Sequence, residues 1–175
     1  MNETQTYINL KDKSQDNFPS FLICHHSGGV DANPLADTSN HTAKDMETWH
    51  LQKGWEGLGY HYVIQKNGEI WKGRPEHYHG SHCVGYNTQS IGICMSGNFD
   101  LTLPTKEQIN SLTNLLKDLQ KKYNIPTENI VPHRKFANKS CYGKKLSDDF
   151  AKNLVKEETV SIPKKLLQEL LSYLK

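Results

Sequence analysis

Long apolar runs are missing from this chain. No stretch approaches the roughly 18 consecutive apolar residues of a bilayer-spanning helix, so no segment reads as one. Met1 to Phe18 are polar and mixed in charge, without the apolar stretch of a secretory signal, and the expectation is a protein made in the cytoplasm. Charge of one sign is lacking too. Lys and Arg number 21 against 19 Asp and Glu, a net charge of +2, and the basic residues are dispersed, which excludes a broad cationic face for nucleic acid. Cysteine is sparse: Cys24, Cys83, Cys94 and Cys141 are too few in 175 residues for a disulfide framework. Reduced thiols, one of them a candidate metal ligand, fit better. Hydrophobic residues reach only 35%, yet the length suits one domain with a core that needs no disulfide support. Repeats and low-complexity tracts are absent, and the nine histidines are the unusual feature.

Residues 1–19 read as a polar N-terminal arm stopped by Pro19. Phe21 to His25 is a short apolar run ending in Ser27-Gly28-Gly29, the pattern of a buried strand. Ser39 and Asn40 offer N-caps for a helix through Met46, Trp49 and Leu51, closed by Gly54. Tyr60 to Gln65 and Glu69 to Lys72 flank Asn67-Gly68, a strong hairpin signal. A His-, Gly- and Asn-rich loop then leads to a strand over 90–96. Thr105 with Gln108 forms a capping box for a helix carrying Ile109, Leu112, Leu115, Leu116 and Leu119. Asn129 to Val131 reads as a strand delivering His133, and a helix is expected over 147–156. The order predicts an α/β fold, a single domain with a central mixed β-sheet flanked by helices. Its body spans 20–156. Beyond it, Leu166, Leu167, Leu170, Leu171 and Leu174 make 157–175 an amphipathic C-terminal helix packed on the domain.

A hydrolytic zinc site needs three protein ligands and one open position. His25 ends one strand, and His133 and Cys141 follow another. Spacing leaves two readings open: the three surround Zn²⁺, or they are a capped strand-end histidine, a surface loop residue and a buried thiol. His133 and Cys141 do not have a standard finger spacing. Strand alternation puts His26 on the face opposite His25, so only one of that doublet can serve one ion without a bulge. The histidines of 77–82 with Cys83 are too crowded for convergent tetrahedral ligation. Trp55 and Trp71 are expected in the core.

Five motifs in order carry a resemblance. Ile23-Cys24-His25-His26-Ser27-Gly28, then Gly54 through Ile64, then Asn67-Gly68, then Gly80-Ser81-His82 with Gly85-Tyr86-Asn87 and Ser90-Ile91-Gly92-Ile93, and finally His133 through Cys141, resemble the zinc-dependent N-acetylmuramoyl-L-alanine amidases. The final piece, with Lys139, resembles the phage lysozyme branch of that amidase and peptidoglycan recognition protein family; animal recognition proteins commonly have a hydroxyl residue at that place. The resemblance spans roughly residues 20 to 150.

It implies a peptidoglycan recognition protein-like amidase fold over 20–156, Zn²⁺ held by His25, His133 and Cys141, Tyr60 and Lys139 as catalytic side chains, and His82 and Asn87 as substrate contacts. The implied reaction is hydrolysis of the amide between N-acetylmuramic acid and L-alanine in peptidoglycan by a monomeric phage or prophage endolysin, with no nucleic-acid partner. Such an enzyme reaches the cell wall through a membrane lesion or by injection. A non-catalytic recognition module that binds muropeptide is the alternative, and the retained Cys141 argues against it. Tyr142-Gly143 stands where many relatives have Pro-Gly, so a freer backbone is expected after Cys141.

Overall fold

The computed structural model describes residues 1–14, 16–30 and 32–156. The helix expected over 157–175 lies outside them. In chain order the elements are β1 (Asn2–Glu3), α1 (Gln5–Leu10), β2 (Phe21–His26), α2 (Ala43–Gln52), β3 (Tyr62–Ile64), β4 (Ile70–Lys72), β5 (Ser90–Met95), α3 (Lys106–Tyr123), β6 (Ile130–Pro132) and α4 (Phe150–Asn153), with 3-10 turns at Thr127–Asn129 and His133–Lys135.

The strands form one mixed sheet in the order β1-β4-β3-β5-β2-β6. β3, β5, β2 and β6 run parallel to their neighbours, and the β3–β4 hairpin supplies the antiparallel pair. Parallel strands must be covered on both faces, which is why β2 and β5 read as near-continuous apolar runs. On one face Leu22, Cys24, Ile91, Ile93 and Met95 pack against Leu112, Leu115, Leu116 and Leu119 of α3. The other face carries Val63 and Cys94 against Ala43 and Met46 of α2, and Ile23 and Val131 against Cys83.

Local signals held where the partners are local. Thr105 and Gln108 close their capping box, and α3 ends at Asn124 in the left-handed conformation. Gly68 turns the hairpin at φ +82°. α2 is capped by Thr42 in a box with Asp45, rather than by Ser39 or Asn40. The helix expected over 147–156 shrinks to α4, because the buried Tyr142 hydroxyl donates to the Ser147 carbonyl at 2.9 Å and accepts from the Ala151 amide at 3.3 Å, holding 147–149 out of helical bonding.

Residues 1–19 are not a detached arm. β1 pairs with β4, and Thr4, Thr6 and Leu10 are buried. The Glu47 carboxylate of α2 accepts from the Gln5 and Thr6 amides and from the Thr6 hydroxyl, while Thr6 Oγ1 accepts from the Leu58 amide at 2.6 Å. Gly57 leaves the room: a Cβ there would lie 2.0 Å from Thr6 Oγ1. The N-terminal segment thus braces the turn that leads into Tyr60.

Replacing Glu47 with Ala leaves the buried Thr6 N–H and hydroxyl without their acceptor. A loss of about 1–3 kcal/mol is expected, read as a lower urea midpoint at unchanged m. An unchanged midpoint would show that the N-terminal segment adds nothing to stability.

Candidate metal centre and its groove

Strand register assembles the first two donors. β2 and β6 are adjacent and parallel with Cys24 opposite Pro132, so the next step places His25 beside His133. Neighbouring strands lie about 4.8 Å apart, and the two imidazole centroids are 4.5 Å apart. His25 shares its face with Ile23. His26, one residue on, faces the other way, and its Nδ1 accepts from the Phe99 amide at 3.0 Å, so the doublet is divided as alternation predicts.

Cys141 comes back to this point on a loop held from both ends. The Arg134 amide donates to the Cys141 carbonyl at 2.7 Å. Its guanidinium donates to the carbonyls of Ser140, Gly143 and Leu146 and pairs with Asp148. Asp100 accepts from the Ser140 hydroxyl and the Lys144 amide, both at 2.8 Å. Tyr142 is fully buried. The backbone after Cys141 is therefore pinned, against the expectation of a freer one.

The donor atoms of His25, His133 and Cys141 all lie within 4.8 Å of one another, and among the described residues they form the one such group of three or more His, Cys, Asp or Glu. Cys141 Sγ is 3.6 Å from His25 Nδ1. Zn–N bonds of about 2.0–2.1 Å and a Zn–S bond of about 2.3 Å at a tetrahedral angle put nitrogen and sulfur about 3.6 Å apart. The donor set and the Cys141–His25 separation fit Zn²⁺, and three protein ligands leave a fourth position open.

Burial holds every group here in its neutral form. His25 is pushed well below 6.5 by burial and by the neighbouring imidazoles, and His133 falls to about 4. The Cys141 thiol is raised to about 12 by burial. Neutral imidazoles are the ligating form; only the thiol needs a cation to displace its proton.

The cluster opens into a groove of about 960 Å³ lined by Tyr60, His50, Trp55, Asp100 and Lys139. Tyr60 packs beside His25 with ring centroids 5.1 Å apart. Burial, with Cys94 and Cys141 nearby, raises its phenol well above 10. Lys139 lies exposed at the same rim, two residues before Cys141. His82 lies behind His25, 8% exposed, with its Nδ1 3.1 Å from His25 Nε2. Asn87 is placed elsewhere: its Oδ1 accepts from the amides of His82 and Cys83, both at 2.9 Å. His77 bonds the Lys13 carbonyl and His79 stacks on Tyr78, so neither joins the cluster.

Sequence reasoning missed several participants. Trp55, expected in the core, is 39% exposed and stacks on His50 as one groove wall; Trp71 is half-buried, opposite Val63 at the edge of the α2-side core. Arg134 and Asp100 gave no signal, because their partners are carbonyls and amides of a loop without regular structure.

A sequence profile of the N-acetylmuramoyl-L-alanine amidase family matches residues 15–144. The endolysin of Escherichia phage T7 is 36% identical over 110 residues, covering 59% of this chain and 71% of that protein. The N-acetylmuramoyl-L-alanine amidase LysC from Clostridium intestinale superimposes with a TM-score of 0.69 at 33% identity, covering 78% of this chain and 85% of the other. A point mutant of Drosophila peptidoglycan-recognition protein LB in complex with tracheal cytotoxin superimposes with a TM-score of 0.65 at 28% identity, over 79% of this chain and 81% of that one.

Three other histidines set an acid limit. His26, His50 and His61 each accept a backbone amide at Nδ1, from Phe99, Gly59 and Gly92. Burial is the main cause that lowers each from 6.5 to about 4. Between those values the unfolded chain binds more protons than the folded one, so stability is complete above pH 6.5 and is lost as pH falls toward 4. The metal-free protein should show a Tm that drops across that window, and less so in His61→Gln. A flat Tm would contradict the three amide contacts.

Proposed function

The chain belongs to the N-acetylmuramoyl-L-alanine amidase family, and on that premise we propose that it is a zinc-dependent peptidoglycan amidase of the phage endolysin type. It cuts the amide between N-acetylmuramic acid and L-alanine. The convergence of His25, His133 and Cys141, with the separation of a tetrahedral ligand pair, is the observation that carries this reading. His25, His133 and Cys141 would hold Zn²⁺, which would supply Lewis-acid chemistry and a source of hydroxide at neutral pH.

The chain's own residues supply the rest. As the amide carbon becomes tetrahedral, negative charge gathers on its oxygen and a proton must reach the departing nitrogen. The Tyr60 phenol keeps its proton because burial raises its pKa, so it can donate a hydrogen bond without ionising. Lys139, exposed at the rim, brings a cation and N–H donors to the same groove. Tyr60 and Lys139 thus serve charge stabilisation and protonation, while the groove walls of His50 and Trp55 receive the glycopeptide. His82, buried behind His25, acts on the metal side of the site.

Cell-wall digestion by this protein should release new L-alanine amino groups without new reducing sugar ends. Cys141→Ala should lose both zinc and cleavage. Tyr60→Phe and Lys139→Ala should each keep stoichiometric zinc and lose about 10²–10³ in kcat, the usual effect of removing one oxyanion donor. Tight muropeptide binding by the wild type with no cleavage would replace the amidase with a recognition module. Full activity of either variant would remove that residue from the mechanism.

A further inference from the structure

We infer that His82 and Ser90 are positioning residues that select the proton arrangement of His25, leaving its Nδ1 free for the metal; this rests on the zinc reading above. Ser90 has no proton to give to His82. The Tyr86 carbonyl lies 2.6 Å from Ser90 Oγ, so the Ser90 hydroxyl must donate to it. Ser90 Oγ has only lone pairs left for its other neighbour, His82 Nε2 at 3.4 Å, so that nitrogen carries a proton. His82 is 8% exposed, and a buried neutral imidazole carries a single proton, already placed at Nε2 by Ser90, so its Nδ1 is bare. That bare nitrogen is 3.1 Å from His25 Nε2, which therefore donates. His25, with its one proton at Nε2, presents an unprotonated Nδ1, and Nδ1 is the atom 3.6 Å from Cys141 Sγ.

The surroundings are shaped to hold this relay. A Cβ at Gly92, in the middle of β5, would lie 2.4 Å from His82 Cδ2, and one at Gly80 would lie 2.3 Å from it. Glycine at both places lets the imidazole lie flat against the sheet. Asn87 anchors the ring's backbone through the His82 amide. Asn87 thus works behind the metal ligand, while His82 both backs His25 and lines the groove. Without Ser90, His82 can move its proton to Nδ1 and donate toward His25 Nε2, which drives the His25 proton to Nδ1 and opposes ligation.

Two measurements on the full chain test this, both read without turnover. In the metal-free protein, long-range ¹H–¹⁵N spectra should show both His25 and His82 protonated at Nε2, and Ser90→Ala should move part of His82 to the Nδ1 form. Competition with a zinc chelator should show zinc bound about 10–100-fold more weakly in His82→Phe. Ser90→Ala should fall about 10-fold, at the low end of that range. His82→Asn keeps an acceptor near the position of Nδ1 and should recover most of the affinity. A wild type with His82 protonated at Nδ1, or a Ser90→Ala protein with unaltered spectra and zinc affinity, would overturn the inference. Failure of the amidase reading looks different: the wild type would bind no zinc or release no L-alanine termini, whatever the imidazole spectra show.

Discussion

The pairing register of β2 with β6 is the constraint on which the site depends. Two parallel strands with Cys24 opposite Pro132 place His25 and His133 side by side at the strand ends, before any side chain has chosen a rotamer. Side chains alternate along a strand, so a slip of one residue would turn His26 toward the groove and bury His25 against α3. Such a slip is opposed by the core itself, since Leu22 and Cys24 would leave the α3 face with it. The placement of the two histidines and the hydrophobic packing are therefore set by one register. Only Cys141 must be brought in separately, and Arg134 and Asp100 hold its loop.

What was legible in the sequence is what depends on near neighbours. The capping box of Thr105 and Gln108 and the turn at Gly68 involve partners within a few residues, the division of His25 from His26 follows from strand alternation alone, and all appear in the structure. Pattern puts His25 at a strand end and His133 and Cys141 in the segment after another strand, but their convergence comes from the family resemblance, because spacing alone leaves a bland alternative open. The N-terminal segment was misread because its burial is polar: Thr6 is satisfied by Glu47 and Leu58, partners far away in sequence that no periodicity reveals. The same holds for His82, whose contacts are with His25 and Ser90 across the sheet. Trp55 is expected in the core because tryptophan is more often core than platform, yet it finds its stacking partner in His50 at the groove.

The site works by contrast of environment. Its imidazoles and thiol are buried and neutral, so a cation entering the cluster meets ligands that need little reorganisation apart from one thiol proton. The groove outside is open, and Lys139 stands at its rim. In the proposed reading, a largely buried ligand set beside an exposed cation would hold an ion while leaving room for a large substrate. The brace from Thr6 to Leu58 extends this logic to Tyr60, whose approach to His25 depends on the turn that the N-terminal segment supports.

X-ray absorption at the zinc edge, on the full chain loaded with one equivalent of zinc, tests the central claim most directly. Ligation from two neighbouring strand ends and one tethered loop predicts one sulfur at about 2.3 Å, two imidazole nitrogens at about 2.0–2.1 Å and one further light atom from solvent. A shell with no sulfur, with two sulfurs, or with four protein donors would contradict it.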